Sequence, residues 1–538
     1  MTYRRMVSVS LVLTVLLFCL VGCKDNKASN ADKTIVYGLT SDPKTLDPQM
    51  AADSTSITAI EALFEGLTRL DADGNAIPGV AKRWESNANS TEFTFYLRSD
   101  AKWSDDTPVT ADDFVYALHR AVLPQTNSPS ASQTFCIKNA KQIYSGQLSP
   151  ENLGVTAVDE YTLKISLAYS YPDFPKLTAS AIFMPCNQEF FTSTSGRYGL
   201  ESAYVLENGP FCIDGKYGWV HDQYLNLKRS SNYSGEKTPL PASIKFLIDG
   251  NGFNSDDPVD ALENGDIDAI PISASQVEEA KAIGCTVISF QNSTWGLSFN
   301  TSSDLMKNEK IRQAFIQAFD REKVLSYKPL DTEKADTILL PNTTFLGENY
   351  RKLVDSPSLP SQDSNAAQTL AEGLAELGLS DISSISVLCP DDENVKLMLN
   401  EMIISWNSQF HNYFNMETMD EATLQSRVSS GNYEIALFPI TPDSDGPSQV
   451  LSLFSSSANG NFTNYNNAQY DTLLAKAEST GGLEAASLYA AAEDYLNQQA
   501  VFYPLYYSKR YYAMAQGVSG IVFHPYQGGV DFISAGKE

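Results

Sequence analysis

Pro108-Val-Thr-Ala-Asp-Asp-Phe-Val-Tyr116, preceded by Ala101-Lys-Trp-Ser-Asp105, is the most informative stretch of the chain. Thr110 stands at a helix-cap position and Asp113 is an acid three residues later, close to a capping box, so a helix opens here. On its amino-terminal side Glu92–Arg98 alternates in period two, with Phe93, Phe95 and Leu97 on one face, which reads as a half-buried strand. Further back, Thr34–Leu39 reads as a buried first strand, followed by a proline-punctuated loop from Ser41 to Pro48. A helix from about Ser54 places Ile57, Ile60, Leu63 and Phe64 at helical spacing, with Gly66 as its stop. On the other side, strands are expected at Tyr161–Leu167, Tyr224–Leu227 and Ile244–Ile248. Beyond Trp295 helices dominate: Glu309–Leu325, Ala366–Leu377, Val395–Trp406, Tyr470–Ala477 and Leu483–Gln498, with strands at Ile385–Leu388 and Tyr433–Phe438 between them. The strand Phe502–Tyr507 and the tail to Glu538 look like a return to the first region. This alternation is an α/β pattern, a sheet layered by helices.

Residues 1–22 read as a secretory leader. Arg4 and Arg5 precede an apolar run from Val7 to Val21 that is too short to span a bilayer, and Leu20-Val21-Gly22-Cys23 is a small-residue cleavage site with cysteine at its far edge. Cys23 is therefore expected to carry lipid as the mature amino terminus, with residues 23–33 as a polar tether. A thioether-linked diacylglyceryl group and an acylated amine give more than one buried chain, as stable anchoring requires. The 538 residues carry a formal net charge of −27, which becomes −29 once Arg4 and Arg5 leave with the leader. Nucleic acid is thereby disfavoured as a partner. With 43% hydrophobic residues the chain can bury large cores, and its length suggests two or more domains. Five cysteines remain beyond Cys19 and Cys23, at 136, 186, 212, 285 and 389, without the close spacing of a zinc or redox pair.

Motifs of catalysis are absent. The histidines at 119, 221, 411 and 524 are scattered, and no nucleophile elbow or glycine-rich dinucleotide fingerprint appears. Gly209–Tyr217 has one residue too many between its glycines for a phosphate loop and reads as a turn. Asp71–Asn75 begins like a calcium loop but has Ala76 and Lys82 at the sixth and twelfth positions, so a hairpin is the better reading. Asp391-Asp392-Glu393 reads as a solvated helix start. No enzyme, cofactor or metal site is expected.

Several stretches in order resemble the bacterial extracellular solute-binding proteins of peptide ABC importers, the oligopeptide- and dipeptide-binding family (family 5). These are Pro43–Pro48, Leu63–Asp71, Ile77–Ala81 with Trp84, Phe95–Arg98, Ala101–Asp105 with Pro108–Tyr116, Asn208–Phe211, Asn264–Asp268, Ile311–Phe315 with Asp320-Arg321, and Asn464-Tyr465 with Tyr470-Asp471. The resemblance implies a two-lobed periplasmic-binding-protein (Venus flytrap) fold, with two crossing strands and an extra subdomain inserted in lobe one. Lobe one would be residues 34–75, 205–292 and 502–538, the insertion 76–204, and lobe two 293–501. It implies a monomeric binding lipoprotein without chemistry of its own, held to the membrane by lipid alone. Such a receptor captures short peptides and delivers them to an ABC permease and ATPase complex. The ligand would lie extended and pair with backbone like an added strand. The family's Gly-Trp-x-x-Asp-Tyr-x-x-Pro segment corresponds here to Pro439–Pro447, which aligns Asp443 with the aspartate that holds the peptide's amino terminus. By the same resemblance Ala52, Asp53 and Ser54 would lie along the peptide, with Ile440 and Thr441 beside it. Ser130 and Asp420 would replace aromatic pocket residues, Arg427 would meet a peptide carboxylate, and Tyr506 would line the cleft. Pro439 and Ile440 in place of glycine and tryptophan keep other solutes open: an oligosaccharide, a metal chelate or haem. A surface sensor without a transport role is the reading from a different class.

Overall fold

The computed structural model describes residues 33–538 apart from 412, 413, 443, 459, 527 and 528; the leader, Cys23 and Asp443 lie outside the described residues. Two long strands, Thr286–Phe299 and Phe502–Met514, pair antiparallel through the middle of the molecule, from Thr286 opposite Met514 to Ser298 opposite Phe502. The register shifts between Gln291 and Ser293 and between Trp295 and Gly296, as expected where extra residues bend a ladder. Trp295 stacks on Tyr506 across the pair, ring centroids 5.9 Å apart and planes 9° from parallel.

A sheet grows outward from this pair in both directions. On one side Ala269–Ile272 joins the Tyr511–Met514 end and leads through Thr34–Leu39, Ser243–Ile248 and Tyr224–Arg229 to Phe211–Ile213. On the other, Ile435–Ile440 pairs with Thr294–Phe299 and leads through Ser386–Pro390 to Asn415–Met419. The two wings have separate cores. Ile35, Tyr37, Phe246 and Ile270 anchor one, Leu297, Phe315 and Trp406 the other, and the crossing strands contribute one end to each. The result is the two-lobed α/β fold.

The 92–116 region forms a compact layer on lobe one. Ala81–Ser86, Glu92–Leu97, Thr162–Ser166 and Val155–Asp159 make a four-stranded antiparallel sheet, and helix Ala111–Val122 packs against it. Phe93, Phe95 and Leu97 all face inward, as the period-two alternation predicts. Thr110 and Asp113 close a capping box, with the Asp113 Oδ2 accepting from the Thr110 amide at 2.8 Å and lying 3.4 Å from the Trp103 indole nitrogen. Trp103 is fully buried and desolvation pushes the Asp113 carboxyl up to about 6.

Other expectations are met or corrected by local bonding. Asp71–Asn75 turns the hairpin Thr68–Leu70 and Ala76–Pro78, its Asp71 Oδ1 accepting from the amides of Asp73 and Asn75. Asp392 caps helix Glu393–Phe410 by accepting from the Val395 amide. The helix from Ser54 ends at Leu63 instead of reaching Gly66. The Asn208 side chain bonds both the amide and the carbonyl of Glu65, holding that backbone away from helical geometry. The helix expected over Glu309–Leu325 is two, Glu309–Gln317 and Arg321–Leu325, because Asp320 caps the second by accepting from the amides of Glu322 and Lys323. Strand Asn415–Met419 and helix Glu421–Ser429 were not anticipated. Among the described residues no helix is long and apolar enough to cross a membrane, and all five cysteines are unpaired.

Gly296 lies tight against the partner strand. A Cβ there would lie 2.3 Å from the Tyr503 carbonyl oxygen and 2.6 Å from the Phe502 ring. Gly296→Ala is expected to lower the denaturant midpoint, with a loss of about 1–3 kcal/mol from overpacking, as measured by equilibrium unfolding.

Candidate functional site

A cavity of about 300 Å³ lies between the lobes, its three walls built from stretches distant in sequence. Lobe one supplies the end of the Ser54–Leu63 helix and the residues after it, together with Phe523–Tyr526 and Asp531. The second wall is Tyr171–Met184 of the layer on lobe one. Lobe two supplies Asn342, Thr344, Ser444 and Asp445.

Asp445 is the junction of these walls. Its Oδ1 accepts from the amides of Thr344 and Gly446, both at 2.8 Å, and the Thr344 hydroxyl donates to its Oδ2. Lys176 Nζ lies 3.5 Å from that Oδ2 and donates to the Thr344 Oγ1 at 2.9 Å. The Tyr171 hydroxyl donates to the Asp445 carbonyl at 3.0 Å, and the Tyr526 hydroxyl reaches its Oδ1 at 3.4 Å. One carboxylate of lobe two thus bonds residues on both facing walls. The Ser170 amide adds a bond to the Glu478 carbonyl at 2.9 Å and Lys141 Nζ one to the Ser457 hydroxyl at 3.0 Å, so the lobes are in contact across the cleft.

The opposite wall is a second charged network. Glu65, 3% exposed, accepts from Arg98 Nη2 at 2.6 Å and from the Tyr233 hydroxyl at 2.5 Å. Arg69 pairs with Asp531 and donates to Tyr233 at 3.1 Å. Glu61 is less well served: desolvation pushes its carboxyl up to about 8 despite the Val530 amide and the Arg69 charge. Burial lowers the His524 pKa, favouring the neutral ring. Six carboxylates line the cavity (Glu61, Glu65, Asp73, Asp173, Asp445, Asp531) against two cations, Arg69 and Lys176. Phe64, Leu177, Met184, Phe290 and Phe523 fill much of the rest. Such a chamber suits a ligand with apolar surface and a positive group.

None of the described residues named from the sequence as ligand-binding candidates lines this chamber. Asp53 caps the Ser54–Leu63 helix, its carboxylate accepting from the Ser56 amide, the Thr55 hydroxyl and the Ser56 hydroxyl at 2.8–2.9 Å, between exposed Ala52 and Ser54. Ser130 donates to the Ala51 carbonyl at 2.9 Å, which brings it to the same loop. Ser54 borders a smaller cavity of about 110 Å³ with Tyr37, Arg510 and Tyr512. Ile440 and Tyr506 are both buried and flank the crossing strand, opposite Thr294 and Trp295 respectively; Thr441 is exposed. Asp420 is exposed and caps its helix through the Thr423 amide and hydroxyl at 2.9 and 2.7 Å, while Arg427 pairs with Glu417. Both have local partners and neither reaches the cavity. Glu65 and Arg69 were within reach of sequence reading, since Leu63–Asp71 is one of the quoted stretches, and Asp445 lies two residues from Asp443.

The model of bacterial extracellular solute-binding proteins, family 5 (its middle region) matches residues 75–462, well over half the chain. The chain belongs to this family. Among family 5 relatives, the periplasmic murein peptide-binding protein MppA of Escherichia coli K12 is 30% identical over 484 residues, 88% of this chain and 87% of its own. The dipeptide-binding protein DppE of Bacillus subtilis 168 is 25% identical over 514 residues, 94% and 92% of the two chains. The crystal structure of the substrate-binding domain of an oligopeptide ABC transporter from Bacillus anthracis str. Ames superposes with a TM-score of 0.74 at 25% identity, covering 95% of this chain and 99% of that one. As a member of family 5 the chain is an extracellular-type solute-binding protein.

Glu61 makes stability pH-dependent. Its folded pKa of about 8 lies above the ordinary carboxylate value, so between roughly pH 4.5 and 8 the folded state holds a proton that the unfolded state has lost. Stability from this group is therefore full at low pH and falls as pH rises through that window, by up to about 1.4 kcal/mol per pH unit. Denaturant unfolding at pH 5 and pH 7.5 is expected to show a smaller loss for Glu61→Gln than for the unaltered chain.

Proposed function

We propose that this protein captures short peptides between its lobes and delivers them to an ABC permease and ATPase complex, anchored outside the cell membrane through lipid on Cys23. The observation that carries the reading is the acid-rich, partly apolar chamber enclosed by both lobes around Asp445. A peptide brings an ammonium group, amides and apolar side chains together, and this chamber offers a counterpart to each. The names of MppA and DppE, a murein peptide-binding and a dipeptide-binding protein, point to the same class of solute. Residues 34–75, 205–292 and 502–538 are assigned to lobe one, 76–204 to the inserted subdomain and 293–501 to lobe two. Binding acts by stabilising the closed arrangement, which the permease recognises. Ala52, Asp53, Ser54, Ser130, Ile440, Thr441, Asp420, Arg427 and Tyr506 are retained as residues to be tested by substitution, and Asp443 as the anchor of the peptide's amino terminus.

Native mass spectrometry of the mature chain, purified without its lipid, tests the reading. A ladder of short peptides released on denaturation is the expected outcome; a single sugar or chelate mass would replace the solute class while leaving the fold. Asp443→Asn is expected to weaken peptides with free amino termini by about ten-fold or more, through loss of a charge-assisted bond, and N-acetylated ones far less. Equal weakening of both would remove Asp443 from that role.

A further inference from the structure

Asp173 stands out among the chamber's carboxylates. It is 8% exposed, it precedes the short helix Phe174–Leu177 without capping it, and its Oδ2 has no hydrogen-bond partner. Two of its neighbours in the chamber are engaged: Glu65 with Arg98 and Tyr233, Asp445 with Thr344 and Gly446. Lys176, one turn on, is 4.0 Å from the Asp173 Oδ1, beyond hydrogen-bond reach, because its ammonium is drawn to Thr344 at 2.9 Å and Asp445 at 3.5 Å. Desolvation raises the Asp173 pKa and the Asp445 charge adds to it, against the opposing pull of the Lys176 charge and the amides of Leu346 and Gly347. Asp173, Asp445 and Lys176 together leave one negative charge uncompensated.

A second orphan acceptor borders the same space. Asn342 donates its side-chain amide to the Gln291 carbonyl at 3.3 Å, which leaves its Oδ1 buried and without a partner. Asp173 comes from the layer on lobe one and Asn342 from lobe two, so the pair exists only when the lobes meet. Beside them Leu177, Met184 and Phe290 present apolar surface suited to a methylene chain. A buried acceptor left unmade is costly, and a carboxylate more so than an amide.

We infer that Asp173 and Asn342 form a subsite for an alkylammonium group, which selects peptides carrying a lysine-like side chain. The inference rests on the peptide reading above and deepens it. The amino terminus is assigned to Asp443, so the group received here is a side chain, and it enters with its stem along Leu177, Met184 and Phe290. Selection is coupled to closure, because the ammonium joins two acceptors on facing lobes.

Calorimetric titration of the mature chain with Lys-Ala-Ala, Ala-Lys-Ala, Ala-Ala-Lys and their three norleucine counterparts tests it. At one position lysine is expected to bind about ten-fold or more tightly than norleucine, the scale of a charge-assisted bond. In Asp173→Asn that ratio is expected to fall to within about two-fold of unity. Asn342→Asp, which adds a second carboxylate, is expected to raise the ratio several-fold. It serves independently should Asp173→Asn fold poorly. Acetylating the amino terminus of the preferred peptide is expected to leave the lysine-to-norleucine ratio intact; its collapse on acetylation would show that the amino terminus occupies the subsite and overturn the side-chain assignment. Lysine and norleucine peptides binding equally well at all three positions would overturn the subsite while leaving peptide capture in place. Failure of all six peptides to bind would overturn the peptide reading itself, and this inference with it.

Discussion

The pairing of Thr286–Phe299 with Phe502–Met514 is the constraint on which the rest of the molecule depends. Each strand donates one end to the core of one lobe and the other end to the second, so neither lobe's sheet is complete without a segment from the far half of the chain. Backbone bonds along the pair are insensitive to side chains, but its two irregularities and the bare backbone at Gly296 are not. They let the strands bend and touch where one lobe gives way to the other. A joint of this kind is stiff along the strands and pliant about them.

What closes the cleft is electrostatic. Asp445 gathers donors from Thr344, Gly446, Lys176 and Tyr526, elements that otherwise belong to facing walls. Within a low-dielectric chamber such bonds strengthen, and the acid excess around them makes the enclosed space favourable for positive charge. Desolvation first, and the charges of Asp531 and Asp445 after it, raise the pKa values of Glu61 and Asp173.

Local chemistry made much of the fold legible. Phe93, Phe95 and Leu97 alternate as a half-buried strand should, and Thr110 with Asp113 marks a helix start by the bonds it goes on to make. The strand Thr286–Phe299 escaped because it passes from one lobe to the other, so no single face stays buried along it and its pattern never settles into one period. The break at Asp320 was hidden inside a continuous apolar rhythm that a side-chain cap overrides. Order of motifs, more than any local signal, made the family recognisable. The chamber was less legible: Arg69 meets Asp531 from 462 positions away, and Asp173 sits in an unremarkable Tyr-Pro-Asp-Phe turn whose meaning comes from lobe two. Asp53 and Asp420 illustrate the converse. Each aligns with a binding position yet carries a capping bond that satisfies its carboxylate.

The five unpaired cysteines have a consequence for where this molecule can work. Cys136, Cys186, Cys285 and Cys389 are buried and Cys212 partly so, and burial raises the pKa of each thiol, to about 12 for Cys136 and Cys186. Thiols held so far from ionisation are poor nucleophiles toward oxidants and disulfides alike. Since no covalent staple among the described residues links one segment to another, the fold owes nothing to an oxidase and loses nothing to a reductant. A fold built this way takes its shape from packing and hydrogen bonds alone, under oxidising and reducing conditions alike.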